Sequence, residues 1–251
     1  MIARNIEGTL KAHTSWFPVV CVTGPRQSGK TTVTQLVFPQ APYANLEQAS
    51  TLELLEADPL GFLNGLLSKG TPVIIDEAQR CPQLFSWLQV ISDDRGRNGL
   101  FLITGSQQFL LSDRIAQSLA GRISVLVLLP LSLRERPGSN QSLETVLLTG
   151  LFPRLYDTRR PAPPPDVLYE NYVSTYLERD VRQLSAVQDL TAFHRFLRLC
   201  AARIGQLLNK ANLAVEASLS QPTVERWLSV LEASNVITRL EPFHANISKR
   251  L

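Results

Sequence analysis

The amino-acid sequence predicts an α/β domain, a parallel sheet flanked by helices, followed by a smaller and mostly helical region. Three observations predict it. Over the first half of the 251-residue chain, short β-branched runs alternate with longer segments of helical spacing, the pattern of strands joined by crossover helices. Several of those runs are apolar throughout, as strands are when helices cover both faces of their sheet. After Arg136-Pro137-Gly138-Ser139 the strand pattern stops and helical spacing takes over.

Taken in order, strands are expected at Val19–Thr23, Tyr43–Leu46, Val73–Asp76, Leu100–Thr104 and Ser124–Leu129. A helical segment, Thr31–Phe38, follows the first strand. Thr51–Leu67 places Leu52, Leu55, Phe62, Leu63 and Leu66 at mostly three- and four-residue steps, and Leu84–Ile91 repeats the pattern with Leu84, Trp87, Leu88 and Ile91. The run Arg159–Pro165 favours extended polyproline geometry and cannot continue a helix, so it reads as a surface connection. Helices are then expected from Asp166 to Leu184 and from Leu190 to Leu208. The predicted organisation is a sheet domain over residues 1–135, a helical region over 136–204 that contains the Pro-rich loop 159–165, and a last unit over 205–251.

Composition excludes several classes. Apolar residues make up 44% and charged residues 19%, ordinary for a packed, soluble chain. The formal net charge of +3 is too small to argue for nucleic acid, and it is not concentrated anywhere. Residues 1–134 hold 11 Lys and Arg against 10 Asp and Glu, and residues 166–251 hold 10 against 9. The cysteines, Cys21, Cys81 and Cys200, are odd in number and lack zinc-ligand spacing, so neither a metal framework nor a disulfide framework is expected. The N-terminus has no signal-peptide apolar core. The longest mostly apolar run, Ile123–Leu133, lies between Arg122 and Arg134 and falls short of the roughly 20 residues a membrane span requires. A cytoplasmic protein without a membrane partner is expected.

Residues 24–31 read Gly24-Pro25-Arg26-Gln27-Ser28-Gly29-Lys30-Thr31, a full match to the phosphate-binding pattern G-x-x-x-x-G-K-[ST]. An apolar strand precedes the match and a helical segment follows it, as the chemistry requires. Backbone N–H groups converge on a polyphosphate at a helix N-terminus, where the dipole also favours anions. Gly24 and Gly29 allow the backbone to bend and approach closely. Lys30 places a charge on the β- and γ-phosphates, and the Thr31 hydroxyl ligates magnesium. With Thr32 behind them, these residues form the predicted nucleotide site, with ATP and magnesium as its ligands.

Pro72–Ala78 is an apolar strand ending in Asp76-Glu77. A strand-end Asp holds magnesium in phosphate-loop proteins, and the acid after it can polarise the attacking water. Asp76 is therefore the metal-side residue and Glu77 the general base. The strand Leu100–Thr104 ends in Thr104-Gly105-Ser106. If it neighbours the first strand, Thr104 or Ser106 can sense the γ-phosphate. Arg122, just before the last strand, is the candidate arginine finger, acting in cis or from a neighbouring subunit, with Arg26 as a weaker candidate.

GTP is disfavoured because the nearest string to a guanine-recognition motif, Asn209-Lys210-Ala211-Asn212, lacks the final Asp. The linked strings GPRQSGKTT, VIIDEAQ, FLITGSQ, SLAGR and LPLSLRE, followed by LTGLFPRLY, resemble a large prokaryotic family of AAA-domain ATP-binding proteins. The resemblance covers essentially the whole chain. It implies an AAA-type P-loop ATPase core followed by a helical region with a winged helix, with Lys30, Thr31, Asp76 and Glu77 in the roles above, Ser106 as a sensor and Arg122 at the family's Gly-Arg position. Members of that family usually run on into a module similar to restriction endonucleases, whereas this chain stops at Ser248-Lys249-Arg250-Leu251. Such a nuclease needs an acid two residues before a lysine. Those positions here are Thr9, Ser28, Leu67, Leu208 and Ile247, so no nuclease activity carries over and the chain reads as a truncated member.

Gly205–Leu240 reads as helix, turn, helix and a first wing strand at Val236–Leu240. Ser220 is the expected N-cap of the second helix, and Pro222 is tolerated in its first turn. Val224, Trp227, Leu228 and Leu231 form its apolar face. A winged helix can enter a DNA major groove, and Gln221, Thr223 and Arg226 could read bases. From Ser220 to Ala233, however, the helix carries one Arg against two Glu, a poor footing for phosphate contacts. Two functions remain open: an ATP-hydrolysing switch whose helical region serves as a lid or a self-association or protein-partner surface, and a nucleotide-responsive DNA-binding regulator.

Overall fold

Five parallel strands form one sheet in the computed structural model, which describes residues 2–105, 118–138, 141–177 and 189–241. The strands are β1 (Val19–Thr23), β2 (Tyr43–Asn45), β3 (Val73–Asp76), β4 (Phe101–Thr104) and β5 (Ile123–Val127), in the spatial order β2-β3-β4-β1-β5. Parallel pairing sets Val19 beside both Phe101 and Ile123, and Asn45 beside Asp76. The expected strand positions hold to within two residues at either end.

Alternation along the strands divides the apolar residues between two layers. Val20, Val22, Ile74 and Leu102 face α1 (Ile6–Trp16) and α2 (Lys30–Val37) through Leu10 and Val33. Val19, Cys21, Val73, Ile75, Phe101 and Ile103 face α3 (Ala49–Ala57), α4 (Pro59–Leu67) and α5 (Leu84–Arg95). Buried on both faces, these strands have no polar side, which is why their sequences do not alternate.

The segment of helical spacing Thr51–Leu67 falls in two helices. Asp58 accepts the Gly61 N–H and caps α4, with Pro59 in its first turn. Proline lacks the N–H that a continuous helix would need there, and its ring disfavours helical geometry at the residue before it. After β5 the chain forms α6 (Leu143–Thr149), capped by Ser142, and then folds around Gly150. The Tyr156 hydroxyl donates to the Gly150 carbonyl at 2.7 Å, and the Tyr169 hydroxyl donates to Thr149 at 3.1 Å. Tyr169 belongs to α7 (Pro165–Tyr172), which passes into a π-helical stretch, Val173–Leu177. The rest of the helix expected to reach Leu184 lies outside the described residues.

The chain divides into two units, Met1–Asn171 and Tyr172–Leu251. The core of the second joins α8 (Leu190–Ala201), α9 (Lys210–Ala217) and α10 (Gln221–Ala233) around Phe193, Phe196 and Trp227. Ser220 caps α10 by accepting the Thr223 N–H, as expected. Helix α8 ends at Ala201 rather than Leu208, and turns follow it. Val236–Leu240 forms no strand, contrary to the expected wing. A β-rich run becomes a strand only beside a partner. Arg239 instead binds Glu225 and Glu232 of α10. The helices of the unit are therefore present, and no wing strand stands among the described residues. No helix among the described residues is long and apolar enough to cross a membrane.

Candidate functional site

All strands run the same way, so every loop that follows a strand emerges at one edge of the sheet. The phosphate-binding pattern follows β1, Asp76 ends β3 and Thr104 ends β4, and β4 lies between β3 and β1. Topology thus gathers residues from three parts of the sequence at the edge where α/β proteins bind ligands.

Backbone conformation shapes the loop. Gly24 has φ +139°, and a Cβ built there would stand 2.2 Å from the Leu128 carbonyl oxygen beyond β5. No side chain fits. Gly29 has φ +94° and opens α2, so the dipole of that helix begins at the loop. Gln27 also takes positive φ. Inside the loop the Lys30 ammonium, buried, donates to the carbonyls of Gly24 at 3.0 Å and Pro25 at 2.9 Å. The Ser28 hydroxyl is buried with no hydrogen-bond partner among the described residues. Arg26 lies partly buried and Thr32 exposed on the first turn of α2.

Asp76 is the centre of the polar cluster. It is 5% exposed, and three hydroxyls donate to its carboxylate. Thr31 of α2 does so at 2.8 Å, Tyr43 of β2 at 2.9 Å, and Thr104 of β4 reaches its second oxygen. Three donors from three elements satisfy a buried carboxylate and fix its orientation. Glu77 adopts left-handed geometry, φ 57° and ψ 44°, a conformation that costs a branched-free residue on the order of 1 kcal/mol or more. Burial, and next the adjacent Asp76, raise the Glu77 pKa, while Gln79, which donates to it, and the Lys30 and Arg26 charges draw it down. On β1, burial pushes the Cys21 thiol up to about 12 against the lowering influence of Lys30.

Gly24 to Thr31, Asp76, Glu77 and Thr104 are therefore brought together. Arg122 is not. Its carbonyl accepts the Val19 N–H at the start of β1, whereas the loop leaves the finish of that strand. Four residues of strand, about 13 Å at the usual rise, separate the two ends. The Arg122 side chain instead binds both carboxylate oxygens of Asp93 on α5, so it is no cis finger for its own loop. Ser106 lies outside the described residues.

Two residues of the site escaped the sequence reading. Tyr43 reaches Asp76 only because β2 pairs with β3, and sheet order cannot be read from a β-rich run. Arg4 precedes α1, and its guanidinium donates to the Ser28 carbonyl at 2.7 Å. Its partners lie 24 to 131 residues away, beyond any local signal.

The orphaned Ser28 hydroxyl, the loop that admits no Cβ at Gly24, and one hard oxygen donor set of Thr31 and Asp76 suit an anion with a small, oxygen-seeking cation. Residues 17–136 match the model of a family described as AAA domain, and residues 140–251 match a domain of unknown function (DUF8612). Two uncharacterized proteins, from Mycobacterium bovis and Mycobacterium tuberculosis, are each 36% identical over 248 residues, which is 98% of this chain and 55% of the relative. The chain thus spans about half the length of the curated relatives it matches. Among solved structures, a Walker-type ATPase of Pyrococcus abyssi is similar with a TM-score of 0.64 and 18% identity, over 94% of this chain and 90% of that one. At that identity the likeness is one of fold.

Proposed function

Through residues 17–136 this chain matches the AAA-domain family, and on that premise we propose that it is a P-loop ATPase that binds ATP with magnesium at residues 24–31 and hydrolyses it as a conformational switch. The observation that carries the reading is the convergence of three hydroxyls on Asp76, one residue from Glu77 and beside the Lys30 loop. Lys30 exchanges its two neutral carbonyl acceptors for phosphate oxygens, and such charge-assisted bonds are roughly twice as strong. Amide N–H groups of the loop supply the remaining donors. Thr31 and Asp76 would hold a magnesium ion, which when bound would supply positive charge to offset that of the phosphates.

Glu77 orients a water and takes its proton. The water oxygen bonds to the γ-phosphorus as the bond from that phosphorus to the bridging oxygen breaks, leaving ADP and phosphate. Glu77 then returns the proton to solvent or to the departing phosphate. Thr104 and Ser106, at the end of β4 and just beyond it, register whether a γ-phosphate is present. In this reading the helical unit responds to the cycle, and Arg122 serves the loop of a neighbouring copy.

Calorimetry with Mg-ATP tests the core of the reading. Wild-type protein should bind, and Lys30→Ala should lose binding. A wild type that shows no heat with any adenine nucleotide plus magnesium overturns it. The role of Arg122 is tested by mixing: Arg122→Ala protein, itself slow, should regain turnover when mixed with Lys30→Ala protein that keeps its arginine. No regain removes Arg122 from the mechanism.

A further inference from the structure

We propose that Arg4 is a positioning residue of the phosphate loop, one that aims the loop's amide groups at the phosphates by holding the Ser28 carbonyl on the opposite side. The inference rests on the reading that this loop binds ATP. Arg4 lies only two residues before α1, and its own backbone is fixed there. The Arg4 N–H donates to the Glu7 carboxylate at 2.7 Å, and the Arg4 carbonyl accepts the Glu7 N–H at 3.2 Å. The side chain is 6% exposed and donates to four acceptors. One terminal nitrogen donates to Ser28 at 2.7 Å; the other donates to the Leu129 carbonyl at 2.7 Å and the Pro130 carbonyl at 3.3 Å; Nε pairs with Glu135 at 3.1 Å.

The consequence for the loop follows from peptide geometry. In a planar trans peptide the C=O and the N–H point in opposite directions. Arg4 holds the carbonyl of the Ser28–Gly29 peptide, so the Gly29 N–H points away from Arg4. That amide stands at the N-terminus of α2, where an anion is favoured. Gly29 has left-handed φ and no side chain to hold this peptide in place. A long-range hydrogen bond supplies the restraint instead. Only a planar, five-donor guanidinium can reach carbonyls on two segments and a carboxylate at once.

Glu135 anchors the arrangement. Burial by itself would raise its pKa, but amide donors at Ser132 and Asn5, together with Arg4, outweigh burial and hold it below the ordinary glutamate value. It is thus a fixed anion under the guanidinium. The segment Leu128–Glu135 meets the loop twice, at Gly24 through the Leu128 carbonyl and at Ser28 through Arg4. Both ends of the loop are referred to one frame.

Calorimetry and steady-state hydrolysis on the full chain test this, with Mg-ATP and with magnesium pyrophosphate as ligands. Arg4→Gln should weaken both ligands by about tenfold or more, the loss of a hydrogen bond to a charged group. The loss should appear in KM with kcat within about threefold, because a misaimed loop weakens ground state and transition state alike. Arg4→Lys keeps the charge but not the fork, and should remain at least about fivefold weak. Glu135→Gln keeps Arg4 in place and should fall between that variant and wild type. Full affinity in Arg4→Lys, or unchanged affinity in a folded Arg4→Gln, overturns the inference. If Arg4→Gln fails to fold, wild-type affinity in Arg4→Lys and Glu135→Gln overturns it equally. Wild-type protein that binds neither ligand overturns the nucleotide reading as well, whereas wild-type binding with indifferent variants removes this inference alone.

Discussion

The two units of the chain hold their key residues in place by different means. Around the loop, position is carried by backbone geometry and short polar contacts: positive φ at Gly24, Gln27, Gly29 and Glu77, and hydroxyls converging on Asp76. In the helical unit, position is carried by packed rings. Phe193 and Phe196 meet Trp227 edge-on with centroids 5.4 and 5.3 Å apart. The first arrangement admits few residue types at each place, because a carbonyl or a left-handed turn excludes the alternatives. Packing of the second kind accepts many apolar combinations of similar volume. Chemistry that must meet a phosphate within tenths of an ångström belongs in the first setting; a surface that must merely persist belongs in the second.

Glu77→Gln breaks that contrast most severely. Turnover should fall by about 10²–10⁴-fold, the usual contribution of a general base, while Mg-ATP remains bound in calorimetry. Wild-type turnover in that variant would remove Glu77 from its role. Next in size, Phe196→Ala should cost the helical unit about 3–5 kcal/mol, read as an earlier thermal transition. If the units are held independently, Mg-ATP affinity stays within about twofold in that variant, below 0.5 kcal/mol; a tenfold change would show that the ring cluster supports the loop. The smallest effect is expected from Ser220→Ala, which removes the cap on the Thr223 amide and should cost about 1 kcal/mol. A larger loss would mean that Ser220 supports more than the first turn of α10.

How much of this was legible in the sequence follows the same division. The loop, its flanking strand and helix, and Asp76-Glu77 are local patterns, and the structure brings them to one edge of the sheet. The break between α3 and α4 was legible too, since Asp58-Pro59 is a local cap-and-start signal that the apolar spacing concealed. Arg122 shows where a local motif stops short of placement. Its Gly-Arg motif is local, but a residue that opens a parallel strand lies at the edge opposite a loop that closes one, and that follows only from the register of β1 with β5. Tyr43 and Arg4 depend on contacts across 33 and up to 131 residues. Val236–Leu240 has strand composition without a strand among the described residues, because pairing, not composition, makes a strand.

Cys21 turns the sheet's burial into a clock. Its thiol sits two residues ahead of Thr23 with no exposed surface, and burial holds it well toward the neutral form at neutral pH. Alkylating and oxidising reagents attack the thiolate, so they find this sulfur only in moments when β1 parts from its neighbours. The pace of its labelling therefore counts openings of the central strand, and any occupant that tightens the loop just beyond it should slow the count.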